Sequence, residues 1–246
     1  MFSPRAYRIF VTLLIPVLLG QTAAEQRQSY DVWGQDDFQI GSRVPRSDTL
    51  YRGEETLTIE RTRTGATYEA RADYERTAGG AVERKDATFL SFISQDGVQR
   101  DERNADPEFL TILNQPFAVR LDAHTIRDIR KLSAPSAFAF ESSKTGAYLR
   151  GTLRRIPDGT IAGKHVVGIG FDASGPLHGA VPEHPEIALA GTMHMSGHAY
   201  YTAADALLME LDTTLEIAGK LADESTSDPV KIVYRRTIRA QTAKER

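Results

Sequence analysis

The stretch Ile187–Ile217, IALAGTMHMSGHAYYTAADALLMELDTTLEI, decides the fold. Ile187, Leu189, Met193, Met195, Ala199 and Tyr201 share one parity, and Thr192, His194, Ser196, His198 and Tyr200 share the other. A repeat of two is strand geometry, with alternate side chains on opposite faces. After a turn near Thr202–Asp205 the pattern resumes: Leu207, Met209, Leu211, Leu215 and Ile217 on an apolar face, and Leu208, Glu210, Asp212, Thr214 and Glu216 on a polar one. Each strand of this hairpin exceeds the usual ~5–6 residues. Strands this long twist strongly, which predicts a curved antiparallel sheet or half-open β-barrel rather than a compact sandwich.

The same alternation extends upstream. Leu57 and Ile59 alternate with Thr56, Thr58 and Glu60, and Tyr68, Ala70, Ala72 and Tyr74 with Glu69, Arg71, Asp73 and Glu75. Gly65 and Gly79-Gly80 punctuate these runs as turns. An apolar segment from Thr88 to Ile93 ends at Gln95-Asp96-Gly97, another turn signal. Ala147, Leu149, Gly151 and Leu153 form a further strand face. Ile156-Pro157-Asp158-Gly159 reads as a turn, His165–Asp172 as a strand with Val167, Ile169 and Phe171 on one side, and 174–185 as a Gly/Pro-rich loop. Gly168 and Gly170 leave room on the other side for a close neighbour. Val230–Ala240 supplies a last strand.

The middle of the chain breaks the alternation. Asp106-Pro107-Glu108 has the chemistry of a helix start: a capping Asp, a Pro tolerated in the first turn and a Glu at the positive end of the dipole. That helix would carry Phe109, Leu110, Ile112 and Leu113 and stop before Pro116. After a short strand, Phe117–Leu121, Asp122 caps a second helix with Ala123, Ile126, Ile129 and Leu132 at helical spacing. The expected architecture is therefore mainly β, antiparallel, with two short helices inserted at 106–132.

Residues 1–24 read as an export signal. Arg5 and Arg8 precede the apolar run Ile9–Gly20, and Gln21-Thr22-Ala23-Ala24 offers small residues for cleavage before Glu25. The run is too short for a spanning helix, which needs about 20 apolar residues, and it contains Pro16. The expected organisation is a signal peptide at 1–24, a polar N-terminal arm at 25–50 holding Trp33, and one β-rich domain at 51–241. The expected location is the periplasm or the extracellular medium, with no transmembrane segment in the mature chain.

Composition narrows the function classes. The chain has no cysteine, which removes disulfides, a thiol nucleophile and thiolate-bound metals. Losing residues 1–24 removes Arg5 and Arg8 and no acid, leaving 28 basic against 33 acidic side chains. That balance argues against nucleic-acid binding. Lys231, Arg235, Arg236, Arg239, Lys244 and Arg246 crowd the C-terminus; the competing readings are attraction to anionic lipid headgroups and a charged edge strand with a frayed tail, the second being preferred.

No catalytic motif or cofactor signature survives scrutiny. Gly168–Ala173 mimics a dinucleotide fingerprint, but Ser174-Gly175-Pro176 breaks the helix that would hold a pyrophosphate. Lys144-Thr145-Gly146 mimics one element of penicillin-recognising serine enzymes, without the Ser-x-x-Lys that must accompany it. Acids two apart on strands, such as Glu210 and Asp212, face solvent. His194, His198 and Asp212, with Glu210 nearby and His178 and His184 upstream, are the candidate metal ligands. Four residues of strand cover ~13 Å, which makes His194 and His198 poor joint ligands. A turn centred near residue 204 sets His198 opposite Glu210 or Leu208, and His194 opposite Thr214 or Asp212.

The apolar stripe is the stronger candidate. Met193, Met195, Met209 and Leu211, with Phe109 and Ile126 from the helices, are the expected contacts for an apolar or amphiphilic, lipid-like ligand, because methionine adapts to variable shapes. In outline the arrangement is similar to periplasmic lipoprotein carriers and related lipid-binding envelope proteins, a similarity of architecture that no residue motif carries. The function expected from sequence is a non-enzymatic envelope protein that binds such a ligand. The alternatives are a structural or interaction protein with a filled core and an envelope partner, and more remotely a metal-dependent or other hydrolase.

Overall fold

The structure is a computed structural model that describes residues 25–41, 47–94, 99–104, 128, 130–142, 147–181, 184–222 and 227–242. Its elements are β1 (Glu25–Ile40), β2 (Ser47–Arg61), β3 (Gly65–Ala78), β4 (Ala81–Ser94), β5 (Gln99–Asn104), β6 (Ser136–Ser142), β7 (Ala147–Ile161), β8 (Lys164–Val181), β9 (His184–Thr202), β10 (Leu208–Ala222) and β11 (Ser227–Ala240). They form one 11-stranded sheet in the order β5-β4-β3-β2-β1-β11-β10-β9-β8-β7-β6. Every neighbouring pair is antiparallel. The sheet is two meanders joined where the first strand pairs with the last. Its order ends at β5 and β6, and it does not close into a barrel.

The alternation read from sequence is the alternation of burial. Leu57 and Ile59 on β2, Tyr68, Ala70, Ala72 and Tyr74 on β3, Leu149 on β7 and Val167, Ile169 and Phe171 on β8 all turn into one core. That face is called inner below. The sheet curls toward it, because side chains meet across strands that are not neighbours. Tyr30 Oη on β1 donates to the Leu208 carbonyl on β10 at 2.9 Å. Arg61 at the end of β2 donates to the Asp205 carbonyl in the β9–β10 turn at 3.2 Å. Gln26 on β1 donates to the Asp205 carboxylate at 3.0 Å, and the same amide accepts from Arg61. These bonds tie the β9–β10 turn to the start of β1 and the end of β2.

Several sequence expectations are corrected. The polar arm at 25–50 is β1 and the start of β2, at the middle of the sheet. Its inward parity, Tyr30, Val32, Gly34 and Asp36, is buried, but only two of the four are apolar, so the period was concealed. The described part of the basic C-terminal run, Lys231 to Arg239, is no edge either: β11 lies between β1 and β10, while Lys244 and Arg246 lie outside the described residues. Ile156–Gly159 is not a turn. Strand β7 passes through it with a bulge against β8, a place where a Pro is tolerated, and turns at Ala162 (φ 48°) and Gly163 (φ 75°). The loop expected at 174–185 is mostly strand: β8 continues to Val181 and β9 begins at His184, while pairing with β7 skips Gly175 and Pro176.

No helix is among the elements of the described residues. The helix expected from Asp106 and the strand Phe117–Leu121 lie outside the described residues. Of the second helix, only Asp128 and Arg130 are described in helical conformation, followed by a turn in which the Lys131 N–H meets the Asp128 carbonyl at 3.0 Å. The export signal at 1–24 also lies outside the described residues. None of the described helical residues forms a segment long and apolar enough to cross a membrane.

Candidate functional site

The inner face of β9, β10 and β11 carries the expected apolar stripe. Met193, Met195, Met209 and Leu211 are all buried in the core cluster. Phe109 and Ile126, the remaining expected contacts, lie outside the described residues. Leu208, expected on the polar side, is buried too. The ladder shifts between Leu208 and Glu210, and this bulge lets Leu208 and Met209 both turn inward.

The inner face also holds ionisable groups that sequence reading did not single out. Glu55 on β2 pairs in register with Tyr30 on β1. It is 2 % exposed, and its Oε2 has no hydrogen-bond partner among the described residues. Burial pushes its carboxyl up to about 8, so the group is mainly neutral at pH 7 and can donate a proton in a hydrogen bond. Its neighbour Tyr30 is held well above the usual phenol range, by burial first and then by Glu55, Tyr201 and Asp205. Tyr201 is raised as well, by burial and then by Tyr68. A neutral acid and a set of phenols thus sit inside an apolar shell. The signal in sequence was Glu54-Glu55 in a strand: one of two adjacent acids must point inward.

A second polar group lies where the first and last strands meet. The Arg236 side chain on β11 is fully buried and pairs with the buried Asp36 on β1. Its guanidinium also donates to the Gln35 carbonyl at 3.3 Å and to the Arg235 carbonyl at 2.8 Å. The Tyr51 and Tyr234 rings flank it at 5.1 and 5.6 Å. Tyr234 is pushed up to about 12 by burial and by Asp36, against the opposing pull of Arg236. The guanidinium lies across Gly34, where a Cβ would stand 3.1 Å from Arg236 Cδ. On the opposite face Arg235 pairs with Asp37 at 2.6 Å. Consecutive acids on β1 therefore meet consecutive arginines on β11, one pair per face.

The histidine face is laid out differently from the expected register. His198 stands opposite Asp212 and His194 opposite Glu216, because the turn takes in Ala203–Leu207 and is centred beyond residue 204. His198 still reaches Glu210 diagonally at 3.6 Å, and His194 meets Asp172 on β8 at 3.2 Å. Each histidine thus has an acid of its own. Among the described residues no three His, Asp or Glu side chains converge as metal ligands. Gly168 and Gly170 are covered by Ile156, Tyr200 and Arg154 side chains, which is the close approach their size allows.

One further concavity lies on the outer face, over β2, β1 and β11. It is a groove of about 490 Å³ lined by Asp31, Trp33, Arg52, Glu54, Thr237 and Arg239, with Val32 and Gly53 at its base. No family model matches the chain, and no curated protein matches it.

Proposed function

We propose that the chain is an exported, non-enzymatic protein that binds an apolar or amphiphilic, lipid-like ligand on the inner face of its sheet, between that face and the helices expected at 106–132. Met193, Met195, Met209 and Leu211 would contact the apolar part, with Phe109 and Ile126 from the helices. The observation that carries the reading is Glu55. A neutral carboxyl with a free oxygen, set among apolar side chains and tyrosines, matches the polar handle of a mostly apolar ligand site. Leaving such an oxygen unsatisfied costs about 1–3 kcal/mol, a cost that a ligand carbonyl or hydroxyl would offset. The export part of the reading rests on Arg5, Arg8 and the apolar run that follows them.

Native mass spectrometry of the mature protein, purified without detergent, tests this. A bound mass of several hundred daltons (on the order of one lipid), lost on denaturation and lost in Met209→Asp, is the expected result. Retention of that mass in a folded Met209→Asp protein would remove the assignment. A second reading, an interaction protein with a filled core, is favoured by the complete burial of Met209 and Leu211. An apo mass throughout would decide for it.

A further inference from the structure

The outer groove is independent of the inner face, and its side chains are unusual for the middle of a sheet. Trp33 is 41 % exposed although β1 lies centrally. It is the only tryptophan in the chain. Two cross-strand rows make the groove: Arg52, Trp33 and Thr237 in one, Glu54, Asp31 and Arg239 in the next. With strands ~4.8 Å apart and alternate residues ~7 Å apart along each strand, the six side chains cover a patch of about 10 by 7 Å. The side chains of Arg52 and Glu54 make no hydrogen bond or ion pair with other described residues. Asp31 accepts only from Gln241, at 2.8 Å, and Arg239 lies 3.8 Å from Glu210 and remains largely exposed.

The chemistry of this patch selects its occupant. Two guanidiniums face two carboxylates, so the groove is close to neutral and a polyanion gains nothing there. Trp33 is the only large apolar side chain exposed in it, too little for a lipid chain. The backbones of β2, β1 and β11 are paired on both sides, so no added strand can dock. What remains is a neutral molecule with a flat C–H face and many hydroxyls. The indole face is electron-rich and attracts polarised C–H groups. Planar guanidiniums and carboxylates bind adjacent hydroxyls in pairs, as donor and acceptor respectively. The volume falls within the ~300–1,000 Å³ typical of small-ligand sites.

We propose that this groove is a saccharide site, in which a pyranose ring of a neutral sugar chain stacks on Trp33 while Arg52, Glu54, Asp31, Arg239 and Thr237 hydrogen-bond its hydroxyls. Because Trp33 is the only tryptophan, intrinsic fluorescence reports on this site alone. The experiment titrates the protein with cellotetraose, maltotetraose and chitotetraose, and in parallel with an anionic oligogalacturonide, by fluorescence and by isothermal calorimetry. The expected result is saturable binding of at least one neutral oligosaccharide with a blue-shifted emission. Calorimetry should show affinity at least tenfold weaker in Trp33→Ala and in Arg52→Ala, and unchanged in Arg71→Ala, an outer-face control on β3. Three outcomes overturn the proposal: no neutral oligosaccharide binds at millimolar concentration, only the anionic one binds, or binding survives in a folded Trp33→Ala protein. None of them bears on the inner-face reading, which uses other residues.

Discussion

Glu55 makes stability fall as pH rises, and Glu55→Gln should abolish that dependence. In the unfolded chain this carboxyl ionises near 4.5, and in the fold near 8. The folded value is the raised one. Below pH 4.5 both states hold the proton and the group has no pH-linked effect. Between 4.5 and 8 the unfolded state releases the proton and the folded state keeps it, so wild-type stability drops by about 1.4 kcal/mol per pH unit. Above 8 both states are ionised and the loss levels off at about 5 kcal/mol. That is a third or more of a typical domain's stability of ~5–15 kcal/mol. Glutamine keeps the shape and cannot ionise. Its unpartnered amide adds an offset, but that offset is the same at every pH. The assay is urea unfolding followed by far-UV circular dichroism from pH 4 to 9, since the exposed Trp33 is a poor reporter of folding. The difference in unfolding free energy, Glu55→Gln minus wild type, should climb by about 5 kcal/mol across that range. With an m-value of ~2–3 kcal/mol/M, the difference in midpoint should widen by roughly 2 M. A difference flat to within ~1 kcal/mol would falsify the burial of a neutral Glu55.

The remaining predictions concern the seam, the turn and the histidine face. Asp36→Asn leaves the buried Arg236 charge without its counter-charge and should cost about 3–5 kcal/mol in urea unfolding, while the double change Asp36→Leu, Arg236→Met should be close to neutral. Gly34→Ala pushes a Cβ to 3.1 Å from Arg236 Cδ and should cost about 1–3 kcal/mol by the same measurement. Thr202 Oγ1 accepts from the Leu207 N–H at 2.9 Å and donates to the Asp205 carboxylate, so Thr202→Val should lower stability by about 1–3 kcal/mol and speed hydrogen exchange at Leu207. The double change His194→Ala, His198→Ala removes two exposed pairs and should change the unfolding free energy by less than about 1 kcal/mol in urea unfolding.

What could be read from sequence follows from how each strand meets the core. Strands β3, β8, β9 and β10 have apolar residues at nearly every inward position, so period two stands out in the letters. Strand β1 has Gly34 and Asp36 inward and the large Trp33 outward, which inverts the pattern, and it reads as an arm. Strand β11 alternates correctly over Val230, Ile232 and Tyr234 and then places Arg236 inward. A basic run there looks like an edge when it is in fact half of a cross-strand charge pairing. Proline misled at 157 and 176 for one reason: each stands where a ladder is already interrupted, so neither ends its strand. The register of the β9–β10 hairpin differs by two residues, one because the turn runs on to Leu207 and one because a bulge at Met209 cannot be told from an ordinary step by composition alone. The candidate residues fared by kind. The four apolar ones share the inner face as their parity demanded, whereas Glu55 could not be told from Glu54 without knowing which face was buried.

The two inward polar features of this sheet, the Arg236–Asp36 pair and the neutral Glu55, obey different logic. Arg236 and Asp36 answer each other, and the tyrosines beside them fill the remaining space. A slip of one residue between β1 and β11 would put Arg236 on the face of Asp37 and expose Val32, so the pairing discriminates between registers even if it adds little net stability. That role is needed here because β1 and β11 are the farthest strands apart in sequence and no short turn sets their alignment. Glu55 has no such partner and no register to hold, since β1 and β2 are consecutive in the chain. Leucine at 55 would pack the same space at lower cost. Under the inner-face proposal the acid is kept for a partner outside the sheet. Of the two proposals, the one for the inner face stands or falls with what binds to Glu55 Oε2.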